Sequence, residues 1–308
     1  MTERKIAVID LGTNTCNLGI GTKCNGELKV EWSERYPVRL AEGGINDKRI
    51  TSAAMKRACN AINHYKQIIE EHNAELEVAY ATSAVRNATN QAEFIRFIEE
   101  NTGVKLSVID GNREAKLIFQ GVTQAVQPIT EPVLILDIGG GSNEFILTDR
   151  NGIIWKQSFE IGIARIHETF HPEIPVNEEM IVKIEAYFQQ FLDPLWEILS
   201  EYPVKTLVGC AGAFDAFADL MNNCTPETTF RSRTALNLLD YTNLHKMLIE
   251  NHEQVQMLQK GTDPVRQKMI VYASIFVNFV INCAGIEQIV QTGYSLKEGA
   301  MAEIFGLV

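Results

Sequence analysis

The chain has 308 residues, of which 45% are hydrophobic and 22% are charged. This length accommodates two domains with separate cores, and the composition is that of an ordinary globular protein. The formal net charge of −11 excludes the basic surface that a general nucleic-acid binder needs, so we expect no nucleic-acid partner.

Cysteine usage and hydrophobic patterning favour a cytoplasmic protein without a membrane anchor. The six cysteines show neither C-x-x-C pairs nor zinc-ligand spacing, which indicates reduced thiols. Residues 2–5 are polar and lead directly into a predicted strand, so we expect no signal peptide. The uncharged segment 269–286 contains Ser274, Asn278 and Asn282, and it is therefore predicted to be a buried core helix rather than a membrane span.

The first predicted element is a strand that ends at an acidic residue and a glycine-containing turn. Asp10 follows the apolar run 6–9, and the turn after it consists of Gly12, Thr13, Asn14 and Thr15. Because glycine has no Cβ, the backbone amides of such a turn can approach an anion closely. An aspartate beside them is well placed to bind a divalent cation. The chain then reaches Asn25-Gly26, a strong signal for a β-hairpin.

Two charged residues stand out in the rest of the first half. Arg86 follows a short predicted strand, and its guanidinium could bind phosphate oxygens, although a surface arginine is the competing interpretation. Glu114 begins a helix predicted over 114–124, where the helix dipole by itself favours a carboxylate. Two further helices are predicted, over 52–71 and 91–101, from the spacing of their apolar residues.

The strand and turn at the start of the chain are repeated at 133–147. Asp137 ends a second buried strand, and Gly139, Gly140, Gly141 and Ser142 form the turn before the next strand. The aligned pairs are Asp10 with Asp137, Gly12 with Gly139, Thr15 with Ser142 and Asn17 with Glu144. The second copy also runs to a hairpin signal, Asn151-Gly152. Such a duplication predicts two similar domains facing each other, with one loop from each binding a shared phosphate ligand.

The second half contains several further predicted elements. A long helix is expected over 178–199, kinked or divided by Pro194. Its predicted inward residues are Ile181, Ile184, Phe188, Phe191, Leu195 and Ile198. Residues 210–213 open a helix that could bind a third group of the ligand, or form only a tight turn. We expect irregular structure over 222–245, then a helix at 269–284, a strand at 288–291 and a closing helix at 293–303.

His167-Glu168-Thr169-Phe170-His171 matches the H-E-x-x-H pattern of zinc proteases. Pro172 follows directly and is expected to end any helix there, which disfavours a zinc site. The competing interpretation is a chance match.

Four ordered motifs, at 10–15, 82–88, 111–115 and 137–144, together resemble the exopolyphosphatase and guanosine pentaphosphate phosphohydrolase (Ppx/GppA) family. That family belongs to the actin-like superfamily, with acetate and sugar kinases. The resemblance implies an α/β fold of two ribonuclease-H-like domains with the active site in the cleft between them. We expect the first domain at 1–123 and the second at 124–296, with a closing helix at 297–308 packing back on the first.

The resemblance also implies roles for individual residues. Glu114 matches the glutamate proposed to activate the attacking water, and Glu144 matches a second acidic catalytic residue near that water or the metal, so either glutamate could be the base. Asp137 and Asp10 match aspartates associated with Mg²⁺, and Arg86 matches a phosphate-binding arginine. The remaining matched phosphate-binding residues are Gly12, Thr13, Asn14, Thr15, Gly139, Gly140, Gly141 and Ser142.

Some positions depart from the family pattern. Arg113 stands where the family often has a glutamate, and Ala211 and Ala213 stand where it has hydroxyl residues. Thr292 replaces a common aspartate. These departures bear on substrate preference and on catalytic efficiency.

The sequence therefore predicts a Mg²⁺-dependent hydrolase that releases terminal orthophosphate from inorganic polyphosphate, with guanosine pentaphosphate as a second candidate substrate. The alternatives are a kinase of the same superfamily and a non-catalytic nucleotide or polyphosphate sensor. The expected partners are the phosphorylated substrate and, for assembly, a second copy of the chain in a homodimer.

Overall fold

The computed structural model describes residues 4–44, 47–222, 232–250 and 264–308, with only the backbone described for 264–267. The chain divides into two compact units. The first unit comprises Met1–Gln124, Gly139–Gly141 and Tyr294–Val308, and the second comprises Ala125–Ile138 and Ser142–Gly293.

The first unit is built on a five-stranded sheet of order β3-β2-β1-β4-β5. The strands are β1 (Lys5–Leu11), β2 (Thr15–Cys24), β3 (Glu27–Pro37), β4 (Glu75–Ala81) and β5 (Leu106–Val108). Strands β1 to β3 form antiparallel hairpins, whereas β4 and β5 run parallel to β1. The helices of the first half are α1 (Ser52–Glu71), α2 (Ser83–Arg86), α3 (Gln91–Thr102) and α4 (Gly111–Ala125).

Local sequence signals account for much of this unit. The β2–β3 hairpin turns at Asn25 and Gly26, whose φ angles of +52° and +87° are those that this dipeptide tolerates. Helix α1 has its predicted bounds, and the Thr51 hydroxyl caps it by accepting a hydrogen bond from the Ala54 amide at 3.2 Å. Its predicted apolar face is buried.

The second unit is built on a six-stranded sheet of order β10-β11-β9-β6-β7-β8. The strands are β6 (Val133–Ile138), β7 (Asn143–Asp149), β8 (Gly152–Phe159), β9 (Thr206–Cys210), β10 (Thr234–Leu236) and β11 (Gln288–Gln291). The later helices are α5 (Ile163–Phe170), α6 (Glu178–Glu201), α7 (Ala211–Met221), α8 (Leu238–Glu250), α9 (Pro264–Ala284) and α10 (Leu296–Ile304). Helix α10 belongs to the first unit.

The two sheets repeat one another in topology and in register. In each, three antiparallel strands are followed by two strands parallel to the first, and β10 is an additional edge strand. Asp10 lies opposite Asn17 across β1 and β2, and Asp137 lies opposite Glu144 across β6 and β7. The alignment predicted from sequence is therefore also an alignment of positions in space within each sheet.

Helix α6 is continuous, so of the two predicted effects of Pro194 the division does not occur. Two other expectations for the second unit were wrong. Phe191 is 40% exposed and Leu192 is buried in its place, because Leu192 is the residue one turn beyond the buried Phe188. Within 222–245, β10 and part of α8 occupy a segment expected to be irregular, and 223–231 lie outside the described residues.

The uncharged segment near 269–286 forms most of α9, and it is a core helix as predicted. Tyr272, Phe276 and Val280 are fully buried in the second unit. None of the helices within the described residues is long and apolar enough to cross a lipid bilayer.

Candidate active site

The first turn, between β1 and β2, is shaped by hydrogen bonds to its carbonyl groups. The Gly12 amide donates to the Thr15 carbonyl at 2.9 Å, and Thr15 begins β2. Segment 38–40 donates two amide hydrogen bonds to the Asn14 carbonyl and one to the Thr13 carbonyl. In the described part of the chain, the amides of Thr13 and Asn14 have no backbone acceptor. Amides left in this way after a tight turn form a concave site for an anion.

The glycines of the second turn lie directly against the first turn. A Cβ atom on Gly140 would be 2.6 Å from Asn14 Nδ2, and one on Gly141 would be 2.5 Å from Thr13 Oγ1. Gly141 also approaches the Ser83 hydroxyl, to which the same Cβ would be 2.6 Å. A side chain at either position would have to displace Asn14, Thr13 or Ser83, and in the structure Gly139–Gly141 belongs to the first unit. Ser83, which sequence reasoning did not single out, is thus a neighbour of both turns.

Arg86 and Glu114, predicted to have separate roles, form an ion pair. Arg86 ends α2 and Glu114 lies in the first turn of α4, and their Nη1 and Oε2 atoms are 2.8 Å apart. Arg86 Nη1 also donates to the Ile109 carbonyl at 3.1 Å. Glu114 is 7% exposed, so its carboxylate is held in an environment where a partner of opposite charge is needed.

Asp10 is oriented by its cross-strand neighbour. Asn17 Nδ2 donates to Asp10 Oδ2 at 2.8 Å, as expected for residues directly opposite each other on one face of a sheet. Burial of the Cys16 thiol, together with the negative charge of Asp10, raises the pKa of Cys16 well above its usual value. Cys16 is therefore an unreactive thiol beside a predicted metal ligand.

In the second unit, the carboxylate of Glu144 is bound by two hydroxyl groups. Glu144 is 1% exposed, and its Oε1 accepts hydrogen bonds from Ser142 Oγ at 2.7 Å and from Ser158 Oγ at 2.6 Å. Ser158 was missed by sequence reasoning. It lies opposite Glu144 in the β7–β8 register, so the predicted hairpin at Asn151-Gly152 could have located it.

Asp137 and Glu144 bring two carboxylates together at the end of β6 and the start of β7. They are cross-strand partners, and the Cys210 thiol lies 3.5 Å from Asp137 Oδ2. Within the described residues, no group of three or more His, Cys, Asp or Glu side chains could bind a metal ion. Mg²⁺ usually binds through one or two carboxylates, waters and substrate phosphates, so a carboxylate pair is compatible with it.

The positions that depart from the family pattern have structural surroundings of their own. Ala211 opens α7 with a φ angle of +65°, a left-handed conformation that is unusual for a residue with a side chain. Thr292 is fully buried, and its hydroxyl donates to the Ser232 carbonyl at 2.5 Å. Thr292 therefore has a packing role in the second unit.

The H-E-x-x-H segment does not have the helical geometry of a zinc-protease motif. Helix α5 ends at Phe170, and His171 follows it with a φ angle of +43°. The rings of His167 and His171 meet edge to face, with centroids 5.9 Å apart, and His167 stacks on Tyr272. Burial lowers the pKa of His167. These contacts are those of packed aromatic side chains.

The fold and the site together define an α/β protein of the actin-like class, with two domains that each carry a strand–turn–strand motif. Over residues 20–306 the sequence matches the model of the Ppx/GppA phosphatase family. The chain belongs to this family, which confirms the predicted resemblance and fold.

Individual relatives agree with this assignment. The crystal structure of an exopolyphosphatase from Cytophaga hutchinsonii is 35% identical, with 98% of each chain covered and a TM-score of 0.91. Exopolyphosphatase 2 of Mycobacterium tuberculosis is 29% identical over 73% of each sequence. The bifunctional 3-dehydroquinate synthase/phosphatase of Fusobacterium nucleatum is 27% identical over 96% of this chain. The present chain spans only 46% of the length of that relative. A family member from Aquifex aeolicus, 21% identical with a TM-score of 0.79, shares the fold.

Proposed function

We propose that the protein is a Mg²⁺-dependent phosphoanhydride hydrolase that releases terminal orthophosphate from inorganic polyphosphate. One observation carries this proposal: the single turn of α2 links the two glycine turns to an acidic side chain. Ser83, its first residue, contacts Gly141, and Arg86, its last, binds Glu114. The family assignment and the exopolyphosphatase relatives support the same reaction class.

Binding a polyanion requires local neutralisation, because the whole chain has a net charge of −11. The amides of Thr13 and Asn14 would provide partial positive charge at the first turn. The close approach of Gly140 and Gly141 adds backbone from the second turn at the same place. The guanidinium of Arg86 would contribute a full positive charge near the reacting phosphate.

In the proposed reaction, a water attacks the terminal phosphorus atom and gives a proton to Glu114. The bond from that phosphorus to the bridging oxygen breaks, so orthophosphate is released and the shortened polyphosphate leaves with the bridging oxygen. Hydrolysis of a phosphoanhydride depends mainly on positioning and charge stabilisation, with a base that orients the nucleophile. The ion pair with Arg86 supports this role, since it restricts the direction of the Glu114 carboxylate. The backbone of Glu114 is fixed at the start of α4, because its amide donates to the Asp110 carbonyl at 3.0 Å.

Asp137 is the residue of the second unit proposed to bind Mg²⁺, with the Glu144 carboxylate beside it as the second acidic residue of the site. Asp10 is proposed for the same role in the first unit. When bound, the ion would neutralise charge on the phosphate oxygens. The hydroxyls of Ser142 and Ser158 would keep the Glu144 carboxylate in one orientation.

The decisive test is orthophosphate release from polyphosphate in the presence of Mg²⁺. Glu114→Gln should slow release by about 10²-fold or more, because an amide cannot accept the proton. The matched control is Glu99→Gln, the same substitution at an exposed position of α3, which should keep wild-type turnover. Turnover by Glu114→Gln equal to that of the control would remove the base assignment.

A substrate panel in the same assay separates this proposal from its alternatives. Guanosine pentaphosphate is included as a proposed second substrate, since it also ends in a phosphoanhydride-linked phosphate. Release from polyphosphate supports the main proposal. Tight binding of polyphosphate without release would indicate a sensor, and phosphorylation of an added acceptor by ATP would indicate a kinase.

A further inference from the structure

We infer that Arg113 and Glu303 form a positioning pair that holds the first turn of α4, and with it Glu114, in its working orientation. This inference rests on the proposed role of Glu114. Arg113 precedes Glu114 in α4, whereas Glu303 lies near the end of α10, and both are in the first unit.

The contact between Arg113 and Glu303 is bidentate. Arg113 Nη1 lies 2.9 Å from Glu303 Oε2, and Nη2 bonds to Oε1 of the same carboxylate. Nη2 also donates to the Tyr80 hydroxyl of β4 at 3.3 Å. A guanidinium bonded through two nitrogens to a carboxylate fixes direction as well as distance, which a single contact does not. The pairing with Arg113 also lowers the pKa of Glu303.

Two ion pairs therefore restrain the first turn of α4. The helix contributes the acidic residue to one pair and the basic residue to the other. On one side Arg86 of α2 binds the acidic Glu114. On the other side the acidic Glu303 of α10 binds the basic Arg113. Adjacent helical residues point about 100° apart, so the two pairs prevent rotation of the turn about the helix axis as well as translation.

The backbone packing of α4 and α10 makes the second restraint rigid. A Cβ on Gly121 of α4 would collide with the Ser295 carbonyl oxygen, and one on Gly299 of α10 would collide with the Leu117 carbonyl oxygen. The two backbones are therefore in direct contact one to two turns beyond Arg113. Glu303 lies one turn beyond Gly299 in α10 and binds Arg113, the residue before Glu114. The position of α10 therefore influences the position of Glu114.

The residue type at position 113 matters for this arrangement. A glutamate at this position, as the family often has, would place a second carboxylate beside Glu303 and could not form the pair. With arginine at position 113, the first turn of α4 forms an ion pair with Glu303 of α10 instead of repelling it.

The test compares Arg113→Met and Glu303→Gln with Lys116→Met in the polyphosphate assay. Each test variant should lower kcat by about tenfold or more and change KM less than about twofold, because displacement of a catalytic group by 1 Å can cost about 10²-fold. Lys116→Met removes a positive charge from the same helix, 4.0 Å from Glu303, without breaking the bidentate contact, and it should retain the wild-type kcat. The double charge reversal R113E/E303R should recover most of the lost kcat.

A double-mutant comparison distinguishes positioning from general stability. In the Glu114→Gln background, Arg113→Met should cause no further loss of kcat, since there is no base left to position. The inference would be overturned if the double variant lost kcat by the product of the two single losses. It would also be overturned if Arg113→Met raised KM at constant kcat, or if Lys116→Met lowered kcat as much as the test variants. A wild-type rate for Glu114→Gln would remove the base assignment on which this inference rests, whereas absence of orthophosphate release by the wild-type protein would overturn the proposed function itself.

Discussion

At the scale of single residues, the acidic side chains of the site are defined by neighbours that restrict their orientation. Asn17 binds Asp10, Arg86 binds Glu114, and two serine hydroxyls bind Glu144. A hydrogen bond to a charged group is stronger than a neutral one, and its loss leaves a buried charge without compensation. The supporting residues should therefore be as sensitive to substitution as many core residues.

Ser158 provides the sharpest test of this view. Ser158→Ala should lower the free energy of unfolding of the second unit by about 1.5–3 kcal/mol, the usual contribution of a hydrogen bond to a charged group. Urea denaturation followed by tryptophan fluorescence measures this change. The control is Ser107→Ala, an exposed position in β5, which should change stability by less than about 0.5 kcal/mol. Equal stability of the two variants would contradict the expectation.

At the scale of elements, segments distant in sequence shape the phosphate turn and the catalytic helix. Arg57 of α1 donates to the Val38 carbonyl at 2.8 Å and to the Arg39 carbonyl at 2.7 Å, and the amides of segment 38–40 in turn bond to the first turn. Helix α10 contacts α4 through Gly121 and Gly299. The first turn is therefore supported by the backbone of segment 38–40, and α4 is supported by the backbone of α10.

Gly121→Ala tests the contact between α4 and α10. In an open helix, alanine would stabilise relative to glycine by up to about 1 kcal/mol. Here the added Cβ meets the Ser295 carbonyl oxygen, so the variant should instead be destabilised by about 1–3 kcal/mol, with reduced phosphate release. Thermal unfolding measures the sign directly. Gln124→Ala, at a partly exposed position of the same helix, is the control, and a rise in Tm for Gly121→Ala would exclude close backbone contact.

At the scale of the whole molecule, each unit has its own hydrophobic core. The second unit also buries a histidine. His245 of α8 is 7% exposed, and its Nδ1 lies 3.2 Å from Ser274 Oγ. Burial, and to a smaller extent the positive charge of Lys246, lowers the pKa of His245 to about 4. Protonation of His245 is therefore much easier in the unfolded chain, where its pKa is near 6.5.

This difference predicts that the second unit loses stability on acidification. Because the pKa of His245 is lower in the folded state, its contribution is complete above about pH 6.5 and is lost as the pH falls toward 4. Between about pH 7.5 and about pH 5.5 the loss should be about 1.4 kcal/mol. His245→Gln should remove this part of the pH dependence in urea denaturation. An unchanged difference between the two pH values would show that other groups cause it.

Features that depend on neighbouring residues were predictable to within a few positions. The bounds of α1 and β11, the two hairpin turns and the buried α9 follow from apolar spacing and from Asn-Gly dipeptides. Prediction failed for Phe191, because the adjacent Leu192 is also apolar and is the residue that the helix buries. It also failed at β10, a three-residue strand that pairs with β11, and at α8, whose Tyr241, Leu244 and Leu248 are buried in the core of the second unit.

The duplicated strand–turn–strand motif, the acidic residues that end its first strands and the family resemblance can all be identified from the sequence, since each motif consists of residues close together in the chain. Which side chains contact one another is evident only from the folded protein. Arg86 and Glu114 are 28 positions apart, and Arg113 and Glu303 are 190 apart. No local pattern encodes such pairs, because they form only when packed helices bring separate segments to one place, and the energy of a buried charge depends on that meeting.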